Sequence, residues 1–217
     1  MDENLINSRL NHLKKSGIIA ILRGQNSNRL YERGIALAEM GCKSIEVTLD
    51  SNDALQIIRK LRENLPEEIM IGVGTMTHSE EASQCFDAGA EFALSPTYPA
   101  NMIEQCDQVG LLAIPGVANT KELDVAIRDG AKIVKLFPSS KWSLEQLSSV
   151  SIPWIPVGGI DGQNVWRWLD AGAWCVGMGT NLCGSDLNDK GAGEWADSEE
   201  QRTRGIFMEL RRYRNAT

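Results

Sequence analysis

The chain has 217 residues, 42% of them hydrophobic and 24% charged, with a formal net charge of −7. That length suits one large domain or two small ones, and the composition is ordinary for a globular protein. The acidic balance argues against a nucleic-acid partner or an anionic membrane surface, and no apolar run approaches the roughly 18 residues of a membrane span.

The five cysteines, Cys42, Cys85, Cys106, Cys175 and Cys183, form no CxxC pair and are odd in number. They read as buried thiols of a reducing cytosol, so a cytoplasmic location is expected. Two histidines, His12 and His78, nearly exclude a histidine-rich metal site. The opening MDENLINSRLNHLKKSG is acidic first and lacks an apolar h-region, which does not read as a secretory signal.

In chain order, residues 4–15 place Leu5, Ile6, Leu10 and Leu13 on a short amphipathic helix that covers one end of a domain. Strands are predicted at 18–22, 44–48, 69–73, 92–94, 111–114, 133–137, 155–157 and 174–178, and helices at 29–40, 53–65, 79–88, 100–109, 120–129, 143–150 and 161–171. Gly41, Gly110 and Gly172 close three of the helices, and Pro66 stops another. Strand and helix alternating in eight units predicts a parallel sheet. With no domain break, the expected fold class is α/β: a single (β/α)8 TIM barrel spanning 1–217, with its core at 18–182. An open doubly wound sheet is the alternative, but neither a GxGxxG turn nor a GxxxxGK[ST] loop supports it. After Cys183 a polar, acidic loop leads to an extra C-terminal helix at 198–214. Ser198 and Gln201 have capping-box spacing, and Ile206, Phe207, Leu210 and Tyr213 form its apolar face. A structural role is assigned to Arg211, Arg212 and Arg214 at the end of this helix.

The chemistry gathers around Lys135, set in the apolar run Ile133–Phe137 of GAKIVKLFPSS. Burial disfavours the charged form of lysine, and a neutral amine is a nucleophile toward carbonyl carbon. Pairing with a carboxylate, or snorkelling at a strand end, is the structural alternative. Glu46, in Ile-Glu-Val-Thr-Leu, is a second charge among apolar neighbours. The two could satisfy each other as a static ion pair, or act as an amine nucleophile beside an acid/base. Barrel enzymes work at the C-terminal ends of their strands. Those ends carry Arg23, Glu46, Thr48, Thr75, Pro96, Pro115, Lys135, Phe137, Gly158, Gly159, Gly179 and Thr180. Gly158-Gly159 and Gly179-Thr180, after the seventh and eighth strands, suit a backbone phosphate cradle. Arg23 with Gly74-Thr75 could hold a carboxylate. Cys42, Cys85 and Cys106 read as core or interface, and His78 as a neighbour of a helix cap.

The motifs IIAILRG at 18–24, GCKSIEVTL at 41–49, GVGT at 72–75, Ser95-Pro96, Pro115-Gly116, GAKIVKLFPS at 130–139 and VGGI at 157–160 together resemble the 2-keto-3-deoxy-6-phosphogluconate / 4-hydroxy-2-oxoglutarate (KDPG/KHG) aldolases. Some of these look more like the 2-dehydro-3-deoxy-6-phosphogalactonate branch. The resemblance implies a class I aldolase that cleaves a phosphorylated 2-keto sugar acid to pyruvate and an aldehyde. It implies Lys135 as Schiff base, Glu46 as general acid/base, and Thr75 and Pro96 at the pyruvate end. It also implies Phe137 packed on substrate, Gly158, Gly159 and Thr180 at the phosphate, a homotrimer, and no metal or other cofactor. One position departs from the pattern: Asp50 stands where the phosphogluconate-type pattern has a carboxylate-binding arginine four residues after the glutamate, and Arg23 could supply the missing guanidinium. The competing functions are a phosphate-binding barrel isomerase without covalent chemistry and a non-catalytic metabolite-binding barrel.

Overall fold

The computed structural model describes residues 1–148, 150–188 and 195–216. Helix α1 (Glu3–Ser16) precedes β1 (Ile18–Leu22), α2 (Ser27–Glu39), β2 (Ser44–Thr48), α3 (Ala54–Asn64) and β3 (Met70–Gly74). Then follow α4 (Ala82–Asp87), β4 (Phe92–Leu94), α5 (Met102–Val109), β5 (Leu112–Ile114), β6 (Gly116–Val117) and α6 (Thr120–Arg128). The chain continues through β7 (Val134–Leu136), α7 (Leu144–Leu147), β8 (Trp154–Pro156), α8 (Val165–Asp170), β9 (Val176–Met178), α9 (Thr180–Cys183) and α10 (Asp197–Ala216). The predicted fifth strand forms as β5, and beyond Pro115, which has no N–H to give to a ladder, a further short strand, β6, continues the run.

Every strand pairing is parallel, as the alternation requires. The strands form a curled sheet in two parts, ordered β5-β4-β3-β2-β1-β9 and β6-β7-β8. A parallel bridge between Val157 and Gly177 links the second part to the first.

The pleat sorts side chains into two cores. Ile18, Ala20 and Leu22 of β1 and Ile45 and Val47 of β2 join the large cluster packed against the helices. Ile19, Phe92, Leu94, Ile114, Ile133 and Ile155 belong to a second cluster, which Leu10 and Leu13 of α1 also enter. Glu46 and Lys135 alternate with residues of the large cluster, so they fall on the face that carries the second. Each Leu or Ile buried this way contributes about 1.5–3 kcal/mol.

Helix starts follow their capping residues. The side chains of Asp2, Asn26, Asn119 and Ser143 accept N–H bonds from the first turns of α1, α2, α6 and α7, each worth about 1 kcal/mol.

Several local expectations are corrected. Leu5 is exposed, and the buried stripe of α1 is Arg9, Leu10, Leu13 and Ser16. The stretch predicted as a helix from Ser79 opens as a 3-10 turn (Ser79–Glu81) before α4. There the Glu81 carboxylate accepts from the N–H groups of Thr77 and His78. Helix α7 ends at Leu147, well short of residue 150, and α8 begins only at Val165 because Asp161 and Asn164 bond each other's backbone across the preceding turn. Ser198 does not cap the last helix: α10 already includes Asp197, and Glu199 and Glu200 donate their N–H groups to the Ala196 carbonyl. Residues 189–194 of the predicted loop lie outside the described residues.

The arginines of α10 bind its neighbours. Arg211 donates to the carbonyl of Met40 at 2.8 Å, and Arg214 packs over Gly17, the left-handed cap of α1. Tyr213, on the predicted apolar face, is only partly buried and donates to Asp170. No described helix is long and apolar enough to cross a membrane.

Candidate active site

Arg23, Glu46, Thr75, Pro96, Lys135, Phe137, Gly158, Gly159, Gly179 and Thr180 all line one cavity of about 400 Å³. It opens where the C-terminal ends of the strands converge. Thr48 and Pro115, also at strand ends, are not in its wall. Thr48 is buried, its hydroxyl 2.9 Å from that of Ser51.

Lys135 sits in the centre of β7 and is 4% exposed; Glu46 sits in the centre of β2 and is 1% exposed. Burial lowers the Lys135 pKa from the ordinary lysine value; Glu46 opposes that shift and Arg23 adds to it. Burial raises the Glu46 pKa above the ordinary carboxylate range; Lys135 and Arg23 oppose that shift and Asp50 adds to it. Desolvation pushes both groups toward their neutral forms. No ion pair within 4.0 Å joins the two side chains. Glu46 Oε2 is buried and accepts no hydrogen bond from a described residue. The Lys135 amine lies 4.9 Å from the centre of the Phe137 ring.

Glu46 reaches the cavity by crossing Gly74 on the neighbouring strand β3. A Cβ at residue 74 would fall 1.5 Å from Glu46 Oε1. Gly74, grouped in the sequence reading with Arg23 and Thr75 for a carboxylate, is therefore also what gives the Glu46 side chain its room. Thr75 itself has a left-handed backbone, φ 56°, which is rare for a β-branched residue. Its hydroxyl accepts a 2.7 Å hydrogen bond from Arg23 Nη2. Arg23 Nε lies 3.5 Å from Asp50 Oδ1, so the acid at residue 50 pairs with the arginine of the adjacent strand end.

At the opposite wall, Gly158 and Gly159 have φ 94° and 74°, a conformation that favours glycine. A Cβ at Gly158 would sit 3.2 Å from the Phe137 ring. Ser139 donates to the Gly158 carbonyl at 2.6 Å, and Asn164 to that of Gly159 at 2.8 Å, which holds the turn.

Sequence reasoning missed Asn181, Gly184 and Leu187 among the residues of the wall, and took Cys183, also in it, for a buried thiol only. Leu187 arrives through long-range contacts that no local pattern reveals. Its carbonyl accepts from the N–H groups of Gln25 and Asn26, and Gly24 leaves room for it, since a Cβ there would be 2.3 Å away. Arg33 anchors the same segment. It makes two bonds of 2.9 and 3.0 Å to Asp186 and stacks 3.8 Å from the Trp195 ring. All five cysteines are buried free thiols; burial pushes Cys42 up to about 11 and Cys85 and Cys106 up to about 12.

The family model described as KDPG and KHG aldolase matches residues 9–197. The 2-dehydro-3-deoxy-6-phosphogalactonate aldolase of Escherichia coli K12 is 27% identical over 77% of this chain and 85% of its own length. A 2-dehydro-3-deoxy-phosphogluconate aldolase of Pseudoalteromonas atlantica is 30% identical over 74% of this chain and 76% of its own. In fold, the chain is similar to the KDPG aldolase of Legionella pneumophila, solved with pyruvate captured as a covalent carbinolamine intermediate. That likeness has a TM-score of 0.71 at 24% identity and covers 93% of this chain and 95% of the other. With a family model that spans most of its length and a buried lysine and glutamate on one cavity, the chain belongs to the KDPG and KHG aldolase family.

Proposed function

We propose that this protein is a class I aldolase that cleaves 2-keto-3-deoxy-6-phosphogluconate, or its galactonate epimer, to pyruvate and glyceraldehyde 3-phosphate. One observation carries the reading. An amine and a carboxyl share one cavity, both buried, both shifted toward neutrality and not paired with each other within 4.0 Å. A static ion pair would hold both groups charged and in contact.

In this mechanism neutral Lys135 attacks the C2 carbonyl of the substrate. Protonated Glu46 gives its proton to the departing hydroxyl, and water leaves to form the protonated imine. The Glu46 carboxylate then takes the proton of the C4 hydroxyl. The C3–C4 bond breaks, its electron pair passes to the imine as an enamine, and the aldehyde departs. Protonation at C3 and hydrolysis release pyruvate and return the free amine. Arg23 and Thr75 receive the substrate carboxylate, Pro96 lines the pyruvyl end and Phe137 packs on the bound substrate. The turn at Gly158-Gly159 with Gly179 and Thr180 receives the phosphate, where glycine allows close backbone approach.

The two parts of the sheet read as arcs of one closed (β/α)8 barrel in a single domain. The bridge from Val157 to Gly177, and the direct run of β5 into β6 through Pro115, support that closure. We further expect a homotrimer, testable by light scattering as three times 23.9 kDa, and a cytoplasmic location, which suits five free buried thiols.

The test of the chemistry is reduction of the pyruvate complex with borohydride, read by intact and peptide mass spectrometry. A pyruvyl adduct on Lys135 is expected. A folded sample that stays unmodified, while a known imine-forming aldolase reacts, overturns the reading.

A further inference from the structure

The turns after β1 and β2 are braced together at the mouth of the cavity. Gly24 N–H donates to Ser51 Oγ at 3.1 Å, and Asn52 N–H donates to the Gly24 carbonyl at 3.3 Å. The Asn52 side-chain amide donates to the Gln25 carbonyl at 2.8 Å, and that of Gln25 to the Asp50 carbonyl at 3.2 Å. Because the brace spans both turns, Arg23 and Asp50 face each other across it at 3.5 Å, while the far end of the guanidinium bonds Thr75. Both side chains of the pair are about half exposed, at 55% and 49%.

Among the described residues, the charged ones lining the cavity are Arg23, Glu46, Asp50 and Lys135, two of each sign. Arg23 is the permanent cation among them, because Lys135 must be neutral to attack a carbonyl. A carboxylate arriving at Arg23 and Thr75 therefore meets a guanidinium already paired with an acid. Asp50 attracts the same cation and repels the same anion.

Resting on the Schiff-base reading above, we propose that Asp50 sets the donor selectivity of the site: by pairing with Arg23 it weakens the hold on the donor's carboxylate. An uncharged 2-keto compound then competes with a 2-keto acid better than it would beside an unpaired arginine. Asp50 acts through Arg23, so it is a positioning residue. For an ion pair this exposed, its charge changes the affinity for the keto acid by about two- to fivefold.

The experiment titrates the purified full chain with pyruvate, or with its uncharged methyl ester, in the presence of cyanoborohydride. Intact-mass spectrometry reads the half-saturating concentration for adduct formation. Asp50→Asn keeps the size and polarity of the side chain and removes its charge. It is expected to lower the half-saturating pyruvate concentration about two- to fivefold while that for the methyl ester stays in place. Asp50→Glu restores the wild-type ratio, and added salt shrinks the difference between variants. A ratio unchanged by Asp50→Asn, or both ligands shifting together as a purely structural role would give, overturns the proposal. Failure of wild-type protein to form an adduct with either ligand instead overturns the Schiff-base reading, and the proposal with it.

Discussion

Gly74→Ala adds one methyl group in the place that Glu46 occupies. The new Cβ would lie 1.5 Å from Oε1, 2.3 Å from Cδ and 2.8 Å from Cγ of Glu46. Restoring ordinary contact requires the carboxyl to retreat by about 2 Å. The backbone of residue 74 is that of a regular strand, so alanine adds no backbone strain and the conflict falls on the glutamate. Overpacking of this kind costs about 1–3 kcal/mol of stability, which for a chain of this size lowers Tm by about 2–12 °C. The catalytic cost is far larger. A displacement of 1 Å can cost about 10²-fold, and a general acid/base contributes about 10²–10⁴-fold, so kcat for aldol cleavage should fall by about 10²–10⁴. Coupled detection of released pyruvate measures the rate, and circular dichroism melting measures the stability. Gly72→Ala is the matched control. It lies on the same strand and face, but the atoms nearest its Cβ would be those of the Phe92 ring, at 2.2 Å, rather than the Glu46 carboxyl. It should lower Tm with kcat near wild type among the molecules that remain folded. If Gly74→Ala retains kcat within about threefold of wild type, the position of the Glu46 carboxyl is not what the chemistry depends on.

Three further outcomes follow from the same site. The double variant Lys135→Met with Glu46→Leu removes two desolvated ionisable groups; it should abolish turnover and adduct formation while raising Tm, since the site holds these buried polar groups at a cost in stability. Arg23 lowers the pKa of both Lys135 and Glu46. Arg23→Met should therefore raise both. The acid limb of kcat/KM, where falling pH protonates the Lys135 amine, moves to higher pH, and an unmoved limb would exclude this coupling. Arg33→Ala leaves Asp186 without its two bonds and Trp195 without its stacking partner. A loss of about 3–5 kcal/mol in denaturant unfolding is expected, with KM rising because Gly184 and Leu187 of that segment wall the cavity.

The parallel α/β architecture was legible because its signals are local. Short β-branched runs such as IIAIL, amphipathic helices and glycine or proline punctuation each act within a few residues of the chain. The same locality explains the errors. A short strand, β6, follows Pro115 where the sequence reading stopped, and side chains of the preceding turn delay α8, so boundaries moved where tertiary pairing or side-chain bonding outweighed periodicity. Strand-end positions also made most of the cavity wall legible, because a parallel α/β fold gathers those ends on one side. The family, too, could be read from motifs around Glu46 and Lys135.

Only the tertiary structure decided how those residues meet. That Glu46 crosses Gly74, that Arg23 divides its guanidinium between Thr75 and Asp50, and that Leu187 walls the cavity through Gln25 and Asn26 depend on contacts between distant parts of the chain. The same holds for the protonation states. A lysine and a glutamate in apolar strands can be an ion pair or a reactive couple. Their separation and burial choose between them, because desolvation acts on each group alone while attraction between them falls with distance.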